Sequence, residues 1–465
     1  MTPPLASALT LLLIGYLIRR EGSVAPRPSR AVWIPTLWLL INGSRQVSQW
    51  FGGSQFAAQA LQEGNPIDQV VYGALILAGI LVLAHRRVQI QSLARNNSWI
   101  VFFFLYEGIS VLWSDYPFAS FRKWIKGTGD FVMVFVLVTD PAPVRAITTA
   151  IKRSGYILIP LSLLFIKYYP ELGRAYNAWS GIPYYSGVTL DKNMFGYLLF
   201  AYGLFYVAEL LQAFGQKSPG CRLTLTDKLC NAVLLCMIIW MIPIADSKTS
   251  LLSLIGGVTL LLALQFPTVR RNPWQWILGT VLVLTILNEF VSLKSAVLEG
   301  SGRDATLTGR TEIWEKVLSE SGSALFGTGY GSFWLGARLQ RIWDSDPITK
   351  LVQAHNGYLE IYLNLGLIGV ALLGGVLWTG LRNTRRRLAA ADFAAAGPDD
   401  RIYQTFGMAF VPAYILYNIT EATFMNLNFL FIIFLLVAFD FPRAIEEQPE
   451  GHESQDVAMT YGRNP

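Results

Sequence analysis

Residues 362–381 read YLNLGLIGVALLGGVLWTGL, twenty positions without an Asp, Glu, Lys or Arg. A helix rises 1.5 Å per residue, so such a stretch spans about 30 Å, the thickness of a bilayer's hydrocarbon core. Arg382, Arg385, Arg386 and Arg387 follow it directly, as basic residues follow a membrane helix at its cytoplasmic end. Twelve more stretches read the same way, at about 5–18, 31–43, 69–84, 98–113, 128–140, 154–168, 193–213, 229–245, 250–266, 274–293, 404–420 and 424–441. Those at 31–43 and 128–140 are short. The fold class that follows is all-α, a polytopic membrane protein with about 12 to 13 transmembrane helices.

Composition agrees. Of 465 residues 53% are apolar and 15% charged, against roughly 25% charged in a soluble domain, which excludes an ordinary soluble globule. The net charge of +6 is small and dispersed, which argues against a nucleic-acid partner. Cys221, Cys230 and Cys236 are odd in number and lack metal-type spacing, so neither a disulfide framework nor a zinc site is expected. Leu5–Ile18 has a signal peptide's apolar length, but Arg19 and Arg20 follow it rather than precede it. It reads as a membrane span.

Basic residues set the expected orientation. With alternate loops placed in the cytoplasm, 22 of the 37 Lys and Arg fall inside, 8 in short external loops and 7 in one long external loop. The chain then divides into spans 1–10 (residues 1–293), an external loop or cap (294–354), spans 11–13 (355–441) and a disordered, acidic cytoplasmic tail (442–465). Within the loop, RTEIWEKVLSE at 310–320 places Ile313, Val317 and Leu318 on one helical face, so a folded cap with amphipathic helices is expected. Neither a fixed-period repeat nor a transporter-like pair of interrupted apolar segments is visible.

This topology brings Arg45, Asp115, Arg122, Lys123, Arg174, Asp191, Lys192, Lys248, Arg303, Arg310, His355 and Glu421 to the external membrane face. Most are cations, which suits either an anionic lipid headgroup held in a site or ordinary snorkelling of long side chains. His355 is the external one of three histidines, the residue type suited to exchanging a proton, so it is the candidate general base, or else an interfacial cap. Arg310 opens the amphipathic segment, where a guanidinium adds to the positive end of the helix dipole and favours a bound anion. FGTGYGSFW (326–334) has the glycines of a tight turn allowing close backbone approach. Its Tyr330, Phe333 and Trp334 suit either sugar stacking or the membrane interface. Asp344 and Asp346 form a short Asp-x-Asp match of low specificity, and Asp191 and Asp246 read equally well as helix N-caps.

The ordered segments WSDYP (113–117), GVTLDKNMFG (187–196), DSKTS (246–250), LTGRTEIW (307–314), FGTGYGSFW and AHNGYLEIYLNLGLIG (354–369) together resemble the O-antigen ligase-like superfamily. With Trp38 and SRQVSQW (44–50), the chain is most similar to exopolysaccharide polymerases of the succinoglycan-production type. The resemblance implies a multi-span, GT-C-like glycosyltransferase of the bacterial inner membrane, inverting and independent of metal or cofactor. Its implied partners are a polyprenyl-pyrophosphate-linked oligosaccharide donor, a glycan acceptor, the lipid bilayer and other polysaccharide assembly and export proteins. It implies His355 and Arg310 as catalytic residues. Arg310, Lys192, Arg174, Arg303 and Lys248 would bind pyrophosphate, with Asn193, Asn356, Tyr358, Asp191 and Glu421 in support. An O-antigen ligase, differing in acceptor, and a flippase or exporter of lipid-linked sugars are the alternatives; transporters place ionisable groups near the midplane, where this chain has mainly Glu107 and Glu209.

Overall fold

The computed structural model describes residues 1–22, 27–52, 64–88, 90–176, 183–215, 224–279, 310–345, 350–388 and 396–441. The helices of ten or more residues are, in chain order, α1 (Pro3–Glu21), α2 (Trp33–Asn42), α3 (Pro66–His85), α4 (Ser98–Ile109), α5 (Pro117–Val138), α6 (Pro143–Tyr168), α7 (Lys192–Gly215), α8 (Leu225–Ile244), α9 (Lys248–Ala263), α10 (Arg310–Ser319), α11 (Gly336–Ser345), α12 (Gly357–Arg387), α13 (Pro398–Thr420) and α14 (Phe429–Ala438). The two strands among the described residues form an antiparallel hairpin, β1 (Arg174–Tyr176) and β2 (Pro183–Tyr185).

The chain is thus an all-α polytopic membrane protein. By length and composition five of these helices can cross a bilayer, α3, α6, α7, α8 and α12, while α9 and α14 are shorter apolar helices. The expected span at 274–293 lies largely outside the described residues, as do residues 294–309 of the loop, Arg303, Cys221, Asp346 and the tail. Every residue of α14 (FLFIIFLLVA) is buried. A helix apolar all round belongs in the interior of a bundle, and α14 packs there against α12 and α13. The span expected at 128–140 is the second half of a longer helix: Pro117 at its first turn starts α5 early. Asp130 therefore lies mid-helix and buried, where its carboxylate accepts from Trp38 Nε1 and Leu427 N at 2.7 Å each.

The bundle has two polar ends. At one, Arg145 pairs with Asp399 and Glu21, Arg153 with Glu21, Arg20 with Asp227, Arg86 with Asp140, and Lys152 with Glu209. These tie together the C-terminal parts of α1, α3, α5 and α7 and the N-terminal parts of α6, α8 and α13. Buried pairs of this kind tolerate loss of both partners better than loss of one. At the other end lie the starts of α7, α9 and α12, the end of α13 and the cap.

The cap is anchored through a break in α12. Gly366 has φ 65 and ψ −166, a conformation open essentially to glycine, and the helix kinks there. The break frees carbonyls that α-helical bonding would occupy: Leu363 O accepts from Thr328 N at 3.1 Å and Asn364 O from Gly329 N at 2.8 Å. Leu367 N donates in turn to Ala324 O at 2.9 Å. Irregular backbone at membrane depth is tolerable only where protein satisfies it in this way. The glycines of FGTGYG do make a tight turn, with φ 69, 92 and 63 at Gly327, Gly329 and Gly331. Around the turn Val317, Phe333, Ile342, Leu351, Ala354 and Leu363 form a separate apolar cluster. Ile313 packs against it, whereas Leu318 is exposed, so the expected apolar face of α10 is narrower than its spacing suggests.

Substituting Gly366→Ala forces a Cβ onto the Leu325 carbonyl as well as into a disallowed backbone region. The purified variant is expected to lose about 1–3 kcal/mol from the backbone term alone. Its thermal unfolding midpoint in detergent reads this directly.

Candidate active site

Glu421 organises the cap end. Helix α13 stops at Thr420 and Glu421 turns extended, at φ −140 and ψ 160. Asn418 stabilises the turn: its Oδ1 accepts from Thr423 N at 2.9 Å and from Thr423 Oγ1 at 3.0 Å. The Gly357 amide donates to the Glu421 carbonyl at 2.9 Å, docking the first turn of α12 against the last of α13. A Cβ at Gly357 would strike Asn418, so the close approach requires glycine. The Glu421 side chain then reaches three partners. Its Oε1 accepts from Arg310 Nη2 at 2.9 Å, and its Oε2 accepts from Asn193 Nδ2 at 3.3 Å and stands 3.4 Å from His355 Nδ1. The Glu421 side chain is 5% exposed, against 18% for Arg310 and 24% for His355, so the carboxylate is covered while the imidazole and the guanidinium remain reachable.

His355 is held by its neighbours. Asn356 is the N-cap of α12, its Oδ1 accepting from Tyr358 N and Leu359 N at 3.0 Å each. Ala354 is fully buried; its amide donates to Glu360 Oε1 at 2.5 Å and its carbonyl accepts from Trp314 Nε1 at 3.0 Å. Between these two anchors His355 takes the left-handed region at φ 51, a strained setting for a residue with a side chain. Tyr358 supports the turn from behind, donating to Ile415 O at 3.0 Å. Asn356→Ala is expected to cost about 1 kcal/mol as a lost cap. Because the cap also fixes His355, activity should fall more than the thermal midpoint does, and measuring both in one preparation separates the effects.

The start of α7 completes the group. Asp191 is the N-cap expected of it, Oδ1 accepting from Asn193 N and Met194 N at 2.8 Å each. Burial raises its carboxyl above the ordinary range, the Met194 and Asn193 amides oppose this, and Glu421 nearby adds to it. Asp246 is not a cap. It sits at φ 49 and its Oδ2 takes the Lys192 ammonium at 2.7 Å. Lys248 opens α9 exposed, and Thr249 Oγ1 meets Thr420 Oγ1 at 2.9 Å, tying α9 to α13.

The expected external cluster separates into parts. Asp191, Lys192, Asn193, Arg310, His355, Asn356 and Glu421 come together. Two of their cations already face carboxylates, so this centre is closer to charge balance than the sequence suggests. Arg174 lies elsewhere, over the Tyr185 ring with Nη2 donating to Ile166 O at 3.2 Å. Arg45 donates to the carbonyls of Leu172 and Thr189. Asp115 pairs with Arg338 and Lys123 donates to Gly331 O, both on the cap. Phe333 is fully buried, so its ring forms cap structure rather than a sugar platform, and the part-buried Trp334 donates Nε1 to Glu360. Asp344 accepts from Gln340 Nε2. Sequence reading passed over Glu360 and Trp314, which hold Ala354. An acid five positions past the histidine at the head of an apolar run was the available signal for Glu360.

Among the described residues the arrangement sets an imidazole with Nδ1 3.4 Å from a buried carboxylate, beside a guanidinium that donates to the same carboxylate. That defines a class: a polytopic helical membrane protein with a His–Glu–Arg cluster under a cap at one end of its bundle. Residues 232–374 match the O-antigen ligase family, a segment that contains α9, α10, α11, His355 and the kink of α12. The chain is also 26% identical over 307 residues to the exopolysaccharide production protein ExoQ of Rhizobium meliloti (strain 1021). That similarity covers 63% of this chain and 66% of the relative, just under two thirds of its length. Both findings support the resemblance to the O-antigen ligase-like superfamily drawn from the motifs.

Proposed function

We propose that this chain is an inverting glycosyltransferase that polymerises polyprenyl-pyrophosphate-linked glycan units at the outer face of the inner membrane, during exopolysaccharide or O-antigen synthesis. The observation that carries the reading is the His355–Glu421–Arg310 group. With its proton on Nδ1 facing Glu421, His355 keeps the Nε2 lone pair free. Nε2 takes the proton of an acceptor sugar hydroxyl as that oxygen attacks the anomeric carbon. The bond from that carbon to the pyrophosphate oxygen breaks, its electron pair leaves on the pyrophosphate, and the configuration inverts. Arg310, assisted by Lys192 and Lys248, holds the departing charge. Because the leaving group is already anionic, such a clamp suffices without a protonating acid.

The matched family is described as a ligase, which favours a second reading in which the acceptor is a lipid A core or a protein. A strain lacking the chain separates the two. Loss of a polymerase leaves single lipid-linked repeats, loss of a ligase strands long lipid-linked chains, and an unchanged polysaccharide profile contradicts both. Orientation is tested with Glu315→Cys on α10 in a background where Cys221, Cys230 and Cys236 are Ser. A membrane-impermeant maleimide should label it in intact spheroplasts; labelling only after lysis would put the cap on the wrong side.

A further inference from the structure

Residues 421–428 connect α13 to α14 as a strap whose two ends meet different groups. At its start Glu421 faces Arg310 and His355. Near its finish Asn426 Nδ2 donates to Glu107 Oε2 at 2.7 Å and to the Tyr330 hydroxyl of the cap turn at 3.0 Å, while Leu427 N donates to Asp130 Oδ2 at 2.7 Å. Leu427 sits at φ 66, a left-handed setting that a leucine keeps only where its surroundings over-determine it. Asp130 supplies that constraint. Its carboxylate is fully buried on α5, with Oδ1 taken by Trp38 Nε1 at 2.7 Å and Oδ2 by the strained residue. An ionisable group among membrane helices is costly to bury and by default marks a function, yet Asp130 has no part in the transfer chemistry itself.

Between its ends the strap is firmly held. Ala422, Thr423 and Phe424 are buried. Thr423 N donates to Asn418 Oδ1 at 2.9 Å, and Thr423 O accepts from the Tyr414 hydroxyl at 2.9 Å. The Phe424 ring centroid lies 5.1 Å from that of Tyr358, three positions past His355. Helix α5 presses on the strap closely enough that a Cβ at Gly127 would strike Asn426. Close-packed interiors pass a displacement on rather than absorb it. The strap thus joins Asp130 to His355 by two routes, through Glu421 and through Phe424. We propose that Asp130 is a positioning residue for the transfer: by fixing Leu427 it sets where Glu421 and Phe424 stand, and so how His355 is aimed. The effect on turnover rests on the transfer reading, whereas the coupling of Asp130 to His355 does not.

An amide offers one acceptor oxygen where a carboxylate offers two, so Asp130→Asn must turn its NH₂ toward either Trp38 or Leu427. Trp38→Phe removes the competing donor, and in Trp38→Phe/Asp130→Asn the one oxygen returns to Leu427 N. Each variant of the full chain in detergent is assayed for kcat and KM with a lipid-linked oligosaccharide, and for its thermal midpoint. The ring signal of His355 is followed in protein carrying 13C-labelled histidine and identified by its loss in His355→Asn. Asp130→Asn is expected to shift that signal and to lower kcat about 10²-fold with KM within about twofold, the effect of a ~1 Å misplacement. Trp38→Phe should lower the midpoint but keep kcat and the signal, because Leu427 stays on Asp130. The double variant should regain most of both while its midpoint stays low. It carries no donor conflict, so it tests the proposal even if Asp130→Asn does not fold. A kcat that follows the midpoint across the variants, a folded double variant whose kcat stays depressed, or a His355 signal that Asp130→Asn leaves in place overturns the proposal. If the unaltered protein does not turn over, or His355→Asn retains turnover, the transfer reading fails, and the His355 signal by itself decides the coupling: a shift in Asp130→Asn that the double variant reverses upholds it, and no shift overturns it.

Discussion

His355→Ala is expected to lower turnover of a lipid-linked oligosaccharide by about 10²–10⁴-fold, the usual contribution of a positioned general base. The loss should come without a comparable loss of fold. Among the described residues the side chain makes one long hydrogen bond, 3.4 Å to Glu421, and it is about a quarter exposed. Backbone strain complicates alanine at this position, because φ is 51 and alanine tolerates the left-handed region less well than histidine or asparagine. His355→Asn is therefore the cleaner partner variant. Asparagine accepts the conformation and can hydrogen-bond Glu421, but it cannot take a proton. If His355→Asn folds normally and retains more than about a tenth of the activity, the general-base role is wrong.

Arg310→Ala is expected to act in two separable ways. The first is catalytic: removing a preorganised cation from the developing pyrophosphate should lower turnover by about 10²–10³-fold. The second is structural, since Glu421 is left almost fully covered and without its 2.9 Å partner. An uncompensated buried charge costs about 3–5 kcal/mol. Arg310→Lys should fall between the unaltered protein and Arg310→Ala, because an ammonium keeps the charge but loses the planar fork. The double variant Arg310→Ala/Glu421→Gln distinguishes the two effects. Neutralising Glu421 should restore much of the thermal midpoint and none of the turnover. Recovery of both would make the pair a structural clasp only.

Apolar length made most of the bundle legible in advance, because twenty uncharged residues have few alternatives to crossing a membrane. The start of α5 was hidden because Arg122, Lys123 and Lys126 look like loop residues, although a proline at position 117 marks a helix start. The kink at Gly366 was hidden for a different reason. GLIG inside an apolar run is ordinary, and the break becomes stable only when Thr328 and Gly329 of the cap take up the freed carbonyls. Of the site, the expectation that His355 and Arg310 share one face of the membrane followed from charge bias along the loops. Their meeting on Glu421 did not, since Arg310 and Glu421 are 111 positions apart and no local pattern connects them. Asp246 shows the same limit: as a helix-start acid it reads as a cap, and only the packing of α7 beside α9 gives it Lys192 instead.

The central claim is that the chain itself performs the transfer, with His355 as base. The most direct measurement is turnover of a synthetic polyprenyl-pyrophosphate oligosaccharide by the purified protein in detergent, where no compartments exist and transport has no meaning. The account predicts longer lipid-linked glycans with inverted anomeric configuration, and their absence when the preparation carries His355→Asn. A folded, lipid-binding preparation that yields no product, or an equal yield from the variant, would contradict it.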